Sequence, residues 1–397
     1  MIKRFKGLLA KGVLCFGAAL ILWGCGRQTS APEAFVSSSA AGEAGESEIF
    51  IYSDGFSGKE DSDTGKEETG DPNLPDYYLP EERVEENGMI RSYLTGQLVE
   101  AEKGNRRPAA VMMSNDKAAL PQYGLNRAGV VYEAPVEGGM NRYMALIEDY
   151  DGLERVGSVR SCRTYYTYFA REFDAVYFHV GQSTFAKPYL KNVDHINGLE
   201  AVGNTAYYRS RDKKSPHNAY TSSDRMEAAV DEMGYRTGYE SSYQGHYLFA
   251  RDGREVSLEG KSGAIGARTA KTGYGMNQAY FTYDPSDGLY HRYQYGGVHQ
   301  GSEGPLAVKN VIFQYCPVGR YASTEYLDIN VHAQEYGYYM TNGMAIPVSW
   351  KKDGEFGVTH YYDGEGNEIV LNQGKTWICI IPTRDFEKSQ IISEDTQ

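Results

Sequence analysis

Cysteine is scarce in this chain, with five among 397 residues. Cys15 and Cys25 fall in the N-terminal segment. The other three, Cys162, Cys316 and Cys379, cannot all pair internally, so no disulfide framework is implied. Long apolar runs are missing too: the run Gly12 to Trp23 is too short to span a bilayer comfortably as a helix. No polybasic patch is present, which sets nucleic acid aside as a partner. No HExxH, GxSxG, Walker loop, CxxC or EF-hand pattern occurs, so the common catalytic and metal-binding frames are excluded. Phenylalanine is sparse beside tyrosine, 14 against 34. Tyrosine joins an apolar ring to a polar tip, which suits half-exposed sheets and carbohydrate-like surfaces.

What the first residues do contain is an address. Lys3, Arg4, Lys6 and Lys11 form a basic region ahead of the apolar run. The run ends in Leu22-Trp23-Gly24-Cys25, which resembles a bacterial lipobox. That resemblance implies a signal peptide over residues 1–25, a diacylglycerated Cys25 thiol and cleavage just before it. The chain is then expected at the cell membrane, lipid-anchored through Cys25 and facing outside the cytoplasm.

Residues 26–88 read as an acidic tether. They hold 16 acidic and 4 basic residues with no sustained apolar period, and so carry most of the chain's net charge of −13. A flexible coil of that length reaches roughly 40 Å, enough to lift the folded part clear of an anionic membrane.

The folded part is expected to be α+β: an N-terminal α/β domain with a mixed sheet over residues 89–242, then a mostly antiparallel β domain over 243–383, with a polar tail at 384–397. Pro108 to Met113 is a compact apolar run, expected as a buried strand. Gly138-Gly139 marks a tight turn that would let Glu137 and Arg142 face each other. Tyr165, Phe169 and Phe173 recur at helical spacing, and Asp174 to Gly181 reads as a strand entering a glycine loop. The order strand, turn, helix, strand implies a βαβ-like unit. Further on, 279–283 and 290–293 form a hairpin pattern, and short strands continue to Ile381.

Arg160 and Arg163 sit where the first strand of that unit would turn into its helix. A helix N-terminus carries partial positive charge and free N–H donors, so two arginines beside it point to an anion. Ligands of such sheets lie at the carboxyl ends of the strands, which would bring the arginine turn and His179 to one rim. The candidate ligand-binding set is Glu133, Glu137, Arg142, Arg160, Arg163, His179, His217 and Asn218. Three readings stay open. In one, carboxylates and arginines merely build a corner of the core. In the second, the arginines hold a phosphate- or carboxylate-bearing envelope component. In the third, Glu137 or His217 is a general base, or Glu133 and Glu137 are metal ligands, in a hydrolase or transferase acting on a phosphodiester or glycan. No cofactor is implied. Cys162 lies beside the arginines, and such a residue is more often a buried filler than a nucleophile.

Several phrases together resemble the YerB-type lipoprotein family. They are Arg107-Pro-Ala-Ala-Val-Met-Met, Val131-Tyr-Glu-Ala-Pro-Val-Glu-Gly-Gly-Met-Asn-Arg142, Val156-Gly-Ser-Val-Arg-Ser-Cys-Arg-Thr-Tyr165, Phe178-His-Val-Gly181, Ser215-Pro-His-Asn218 and Gly374-Lys-Thr-Trp-Ile-Cys-Ile-Ile-Pro382. They span nearly all of residues 105–383. The resemblance implies an envelope lipoprotein with two domains of unknown function, and it brings no reaction with it. Cys162 stands where the family pattern leads one to expect alanine, which counts against a catalytic thiol.

Overall fold

Apolar segments of the two halves of the chain meet in one mixed sheet. The computed structural model describes residues 74–394. The signal segment, Cys25 and the tether as far as residue 73 lie outside the described residues. Strands predominate and helices are few. In chain order, the strands of the main sheet are β1 (Ala109–Ser114), β2 (Val130–Pro135), β3 (Asn141–Ile147), β4 (Val176–His179), β5 (His195–Asn197), β6 (Ile265–Gly266), β7 (Asn310–Cys316), β8 (Glu335–Thr341), β9 (Met344–Lys352), β10 (Thr359–Tyr362) and β11 (Thr376–Pro382). Across the sheet they run β6-β9-β8-β7-β11-β2-β3-β1-β4-β5, with β10 paired to β9.

Strand β11 is the seam. It lies parallel to β7 on one side, with Ile378 opposite Ile312, and parallel to β2 on the other, with Ile378 opposite Tyr132. The sheet therefore continues without a break across the boundary expected at residue 243. The antiparallel pattern expected after that point holds for β7 with β8, β8 with β9 and β9 with β10. β11 departs from it, and its composition says why: every residue from Thr376 to Pro382 is buried. A strand covered on both faces reads as a continuous apolar run and suits parallel pairing. β1 is buried throughout for the same reason and lies parallel to β4.

Helix α1 (Thr164–Glu172) covers one face of the sheet. Its apolar stripe is the predicted one, with Tyr165 and Phe169 buried and Phe169 stacked on Tyr132 at 4.2 Å between ring centroids. On the opposite face, Val111, Val131 and Ala145 share a core with Phe281 and Tyr290. Those two rings belong to a second, six-stranded sheet that contains the expected hairpin, Tyr280–Asp284 with Leu289–Gln294. Helix α2 (Ser223–Met233) brings Met226 and Ala229 into the same core.

Three features differ from expectation. The βαβ-like unit is not formed by the strand before the arginine turn: Val156–Gly157 pairs with Ala219–Thr221 in a separate three-stranded sheet. The chain leaves that strand to cross the end of β1, where the Arg160 N–H donates to the Met112 carbonyl at 2.8 Å. The polar tail expected from residue 384 carries a short strand, Gln390–Ile392, whose Ile391 lies opposite Ala270. Ordered contacts also begin before residue 89, with the Tyr78 N–H donating to the Phe249 carbonyl and Arg251 paired to Glu82.

Candidate functional site

The segment from Gly157 to Arg163 threads across the carboxyl ends of the parallel strands β1 and β4. Arg160 donates its N–H to Met112 on one side and accepts from the Val180 N–H at 3.0 Å on the other. The Cys162 N–H is taken by the Gly181 carbonyl at 2.9 Å. Backbone pairing on both sides therefore sets where Arg160, Ser161 and Arg163 stand, and α1 starts directly after Arg163.

Three guanidiniums gather here. Arg163 is engaged by Glu137 in a forked pair, Nε to Oε1 at 2.9 Å and Nη2 to Oε2 at 2.5 Å. Arg142 donates Nη1 to the Ser161 carbonyl at 2.5 Å, and Arg163 donates to the Cys162 carbonyl at 2.9 Å. Arg160 points Nη1 at His217 Nδ1, 3.2 Å away. Among the described residues, no carboxylate lies within ion-pair distance of Arg142 or Arg160.

The expected pairing of Glu137 with Arg142 is thus replaced by Glu137 with Arg163. Gly138 and Gly139, both with φ of 74°, turn the loop after β2. The Glu137 carboxylate meets Arg163 at the start of α1, not its neighbour across the hairpin.

Titration follows the geometry. Burial, then the positive charges of Arg163 and Arg160, pull Arg142 down to about 10. Burial also lowers Arg160, with Arg163 adding to the effect and Asp116 opposing it. Burial works against the Glu137 carboxylate, but the hydrogen bonds and charge of Arg163 outweigh it and hold Glu137 below its ordinary value. His217 is lowered, chiefly by burial. Its Nδ1 faces two donors, Arg160 Nη1 and the Ser114 hydroxyl at 3.4 Å, and Asp116 lies 3.9 Å from its Nε2.

The eight residues singled out in the sequence separate into groups. Arg142, Arg160, Arg163, Glu137 and His217 are brought together. Glu133 is not part of this cluster. It is fully buried in the core, where its carboxylate accepts from Arg292 at 2.6 Å, from Asn141 and Asn277 at 2.9 Å each, and from Trp377 at 3.1 Å. His179 reaches the rim but faces inward: its Nδ1 bonds the Gly181 carbonyl, its Nε2 meets His195, and burial pushes it down to about 3. Asn218 is occupied by Arg209 at 3.1 Å. Cys162 is buried and free, its thiol pushed up to about 12 by burial.

Ser114, the last residue of β1, and Asp116, in the polar turn after it, were not among the residues expected at the site. Their signal was position: they end and follow a buried strand whose carboxyl end faces the arginine turn.

Sequence and fold define a family. Residues 94–236 match the model described as "Protein of unknown function (DUF3048) N-terminal domain", and residues 268–378 match its C-terminal counterpart. The chain belongs to this family. It is 30% identical over 305 residues to the "Putative lipoprotein YerB" of Bacillus subtilis (strain 168), a match covering 75% of this chain and 87% of that protein. The crystal structure of the YerB protein from Bacillus subtilis aligns with a TM-score of 0.66 at 28% identity, over 76% of this chain and 99% of that one. The resemblance drawn from the motifs is borne out. Among the described residues, no helix is long and apolar enough to cross a membrane.

Proposed function

We propose that this chain is a lipid-anchored lipoprotein, held at the outer side of the cytoplasmic membrane through Cys25, that binds an anionic cell-envelope component at Arg142, Arg160 and His217. The ligand class is a phosphate- or carboxylate-bearing glycan or a lipid-linked precursor. One observation carries the reading: among the described residues, Arg142 and Arg160 have no carboxylate within ion-pair distance, although a third guanidinium, Arg163, has a forked one. Partly buried positive charges that repel each other are costly, and an anion accepting from both removes that cost. The lipobox at Leu22-Trp23-Gly24-Cys25 and the lipoprotein name of the Bacillus relative support the anchored location. The hydrolase reading has less behind it, because both Glu137 oxygens are engaged by Arg163.

The test is thermal unfolding of the full-length chain in lipid nanodiscs with inorganic phosphate, muropeptides or chloride at matched ionic strength. The proposal expects a phosphate- or muropeptide-specific rise in midpoint that Arg160→Ala removes. A rise of equal size in chloride, or one that survives Arg160→Ala and Arg142→Ala alike, would refute it.

A further inference from the structure

The charge at Arg160 continues past His217, which its Nη1 approaches to 3.2 Å. The loop leading to His217 is rich in cations: Arg209, Arg211, Lys213 and Lys214 fall close together, and Arg209, Arg211 and Lys214 are exposed. Folding adds another. Lys213 donates Nζ to the Leu120 carbonyl at 2.6 Å and to the Ala118 carbonyl at 3.3 Å. That pins the loop against the turn after β1, where the exposed Lys117 stands.

The loop is held in one shape. The Ser210 N–H donates to the Asn218 carbonyl at 2.8 Å, and the His217 N–H to the Lys214 carbonyl at 2.9 Å. Arg209 donates to the Asn218 side chain at 3.1 Å. Asp212, the acid inside the loop, is taken by Arg155 through both oxygens, at 3.0 and 3.1 Å. Asp116, on the facing turn, lies 3.9 Å from His217 Nε2. Among the described residues, Lys117, Arg211 and Lys214 have no carboxylate within ion-pair distance. They extend the unpaired charge of Arg142 and Arg160 into a strip, on a chain whose net charge is −13.

Such a strip selects among anions. A single phosphate fills the corner of Arg142 and Arg160 and leaves the loop cations unmatched, whereas a chain with charges at repeated intervals meets both. A flat anionic bilayer would bring like charge against the rest of the molecule. A thin chain feels only the charges within about 8 Å, the screening length at physiological salt. Single-stranded nucleic acid is held by cations together with aromatic platforms, and residues 209–218 include no Phe, Tyr or Trp. We propose that the ligand is a linear polyanion, with one charged group at Arg142 and Arg160 and its neighbours received by Lys117, Arg211 and Lys214. This rests on the reading of the arginines as an anion site and specifies the form of the ligand.

The experiment is calorimetric titration of the full-length chain, in nanodiscs of neutral lipid, with pyrophosphate and with long-chain linear polyphosphate over a salt series. At equal phosphate concentration the wild type should bind polyphosphate at least ten-fold tighter. Its affinity should also fall more steeply with salt, because each contact along the chain displaces a counterion. The Arg211→Gln, Lys214→Gln double variant, two exposed changes, should cut the preference for polyphosphate at least five-fold and flatten the salt slope. Poly-L-glutamate binding as tightly as polyphosphate assigns the strip to charge spacing alone, and much weaker binding assigns it to phosphate. A wild type that does not bind pyrophosphate sinks the anion-site reading and this inference with it. Pyrophosphate binding with no gain for polyphosphate, or a wild-type preference kept by the loop variant, overturns this inference alone. Flotation of the nanodiscs with phosphatidylglycerol vesicles, lost in the loop variant, would give the loop to a membrane and overturn it as well.

Discussion

Arg163 holds Glu137 through both carboxylate oxygens, and Arg142, which reaches the neighbouring Ser161 carbonyl, has no acid of its own among the described residues. That asymmetry sets the first expectation. Arg160→Ala should leave the stability of the unliganded protein within about 0.5 kcal/mol, because it removes a part-buried cation that has no acid partner among the described residues. It should also abolish stabilisation by phosphate. Urea unfolding with and without phosphate reads both effects.

Glu137→Gln should destabilise by about 1–3 kcal/mol, since it leaves the Arg163 guanidinium poorly paired in a largely buried place. It should also flatten the acid limb of stability. Glu137 titrates below its ordinary value of 4.5 in the folded state. Its stabilisation is therefore complete above that value and is lost as pH falls through the folded one. Unfolding free energies between pH 3 and pH 6 check this. The wild type should lose more stability than the variant on the way down.

Glu133→Gln tests the seam between the two segments. Glu133 on β2 accepts from Arg292 of the second sheet and Trp377 of β11. Removing that charge leaves a buried Arg292 unpaired, at a cost of about 3–5 kcal/mol. Chemical denaturation should show one shifted transition for the whole fold. Wild-type stability in the variant would contradict the assignment of Glu133 to the core.

Cys162 should be inert. Its thiol is buried and pushed up to about 12, so almost none is thiolate at neutral pH. A thiol-specific reagent should label it only after unfolding, and Cys162→Ala should leave phosphate stabilisation unchanged.

How far the sequence reached depends on how local each signal was. β1, α1 and the 280–294 hairpin were legible because their apolar spacing is local and strong. The parallel insertion of β11 between β2 and β7 was not, because its pairing with β2 joins residues nearly 250 positions apart (Thr376 opposite Val130) and no local pattern encodes that. Glu133 and Glu137 look alike in sequence, four residues apart. One lies on the strand face that meets Arg292, and the other follows the strand into a glycine turn that ends at Arg163. Arg292 gave no such local sign: in the alternation of Leu289–Gln294 it shares a face with Tyr290 and Gln294, and its burial shows only in the fold.

The most direct test of the anion site is calorimetric titration of the full-length chain in nanodiscs with inorganic pyrophosphate, beside the Arg142→Met, Arg160→Met double variant. Saturable binding near one anion per chain in the wild type, and none in a folded double variant, is the predicted result. Equal binding by both proteins, or none by a folded wild type, would contradict it.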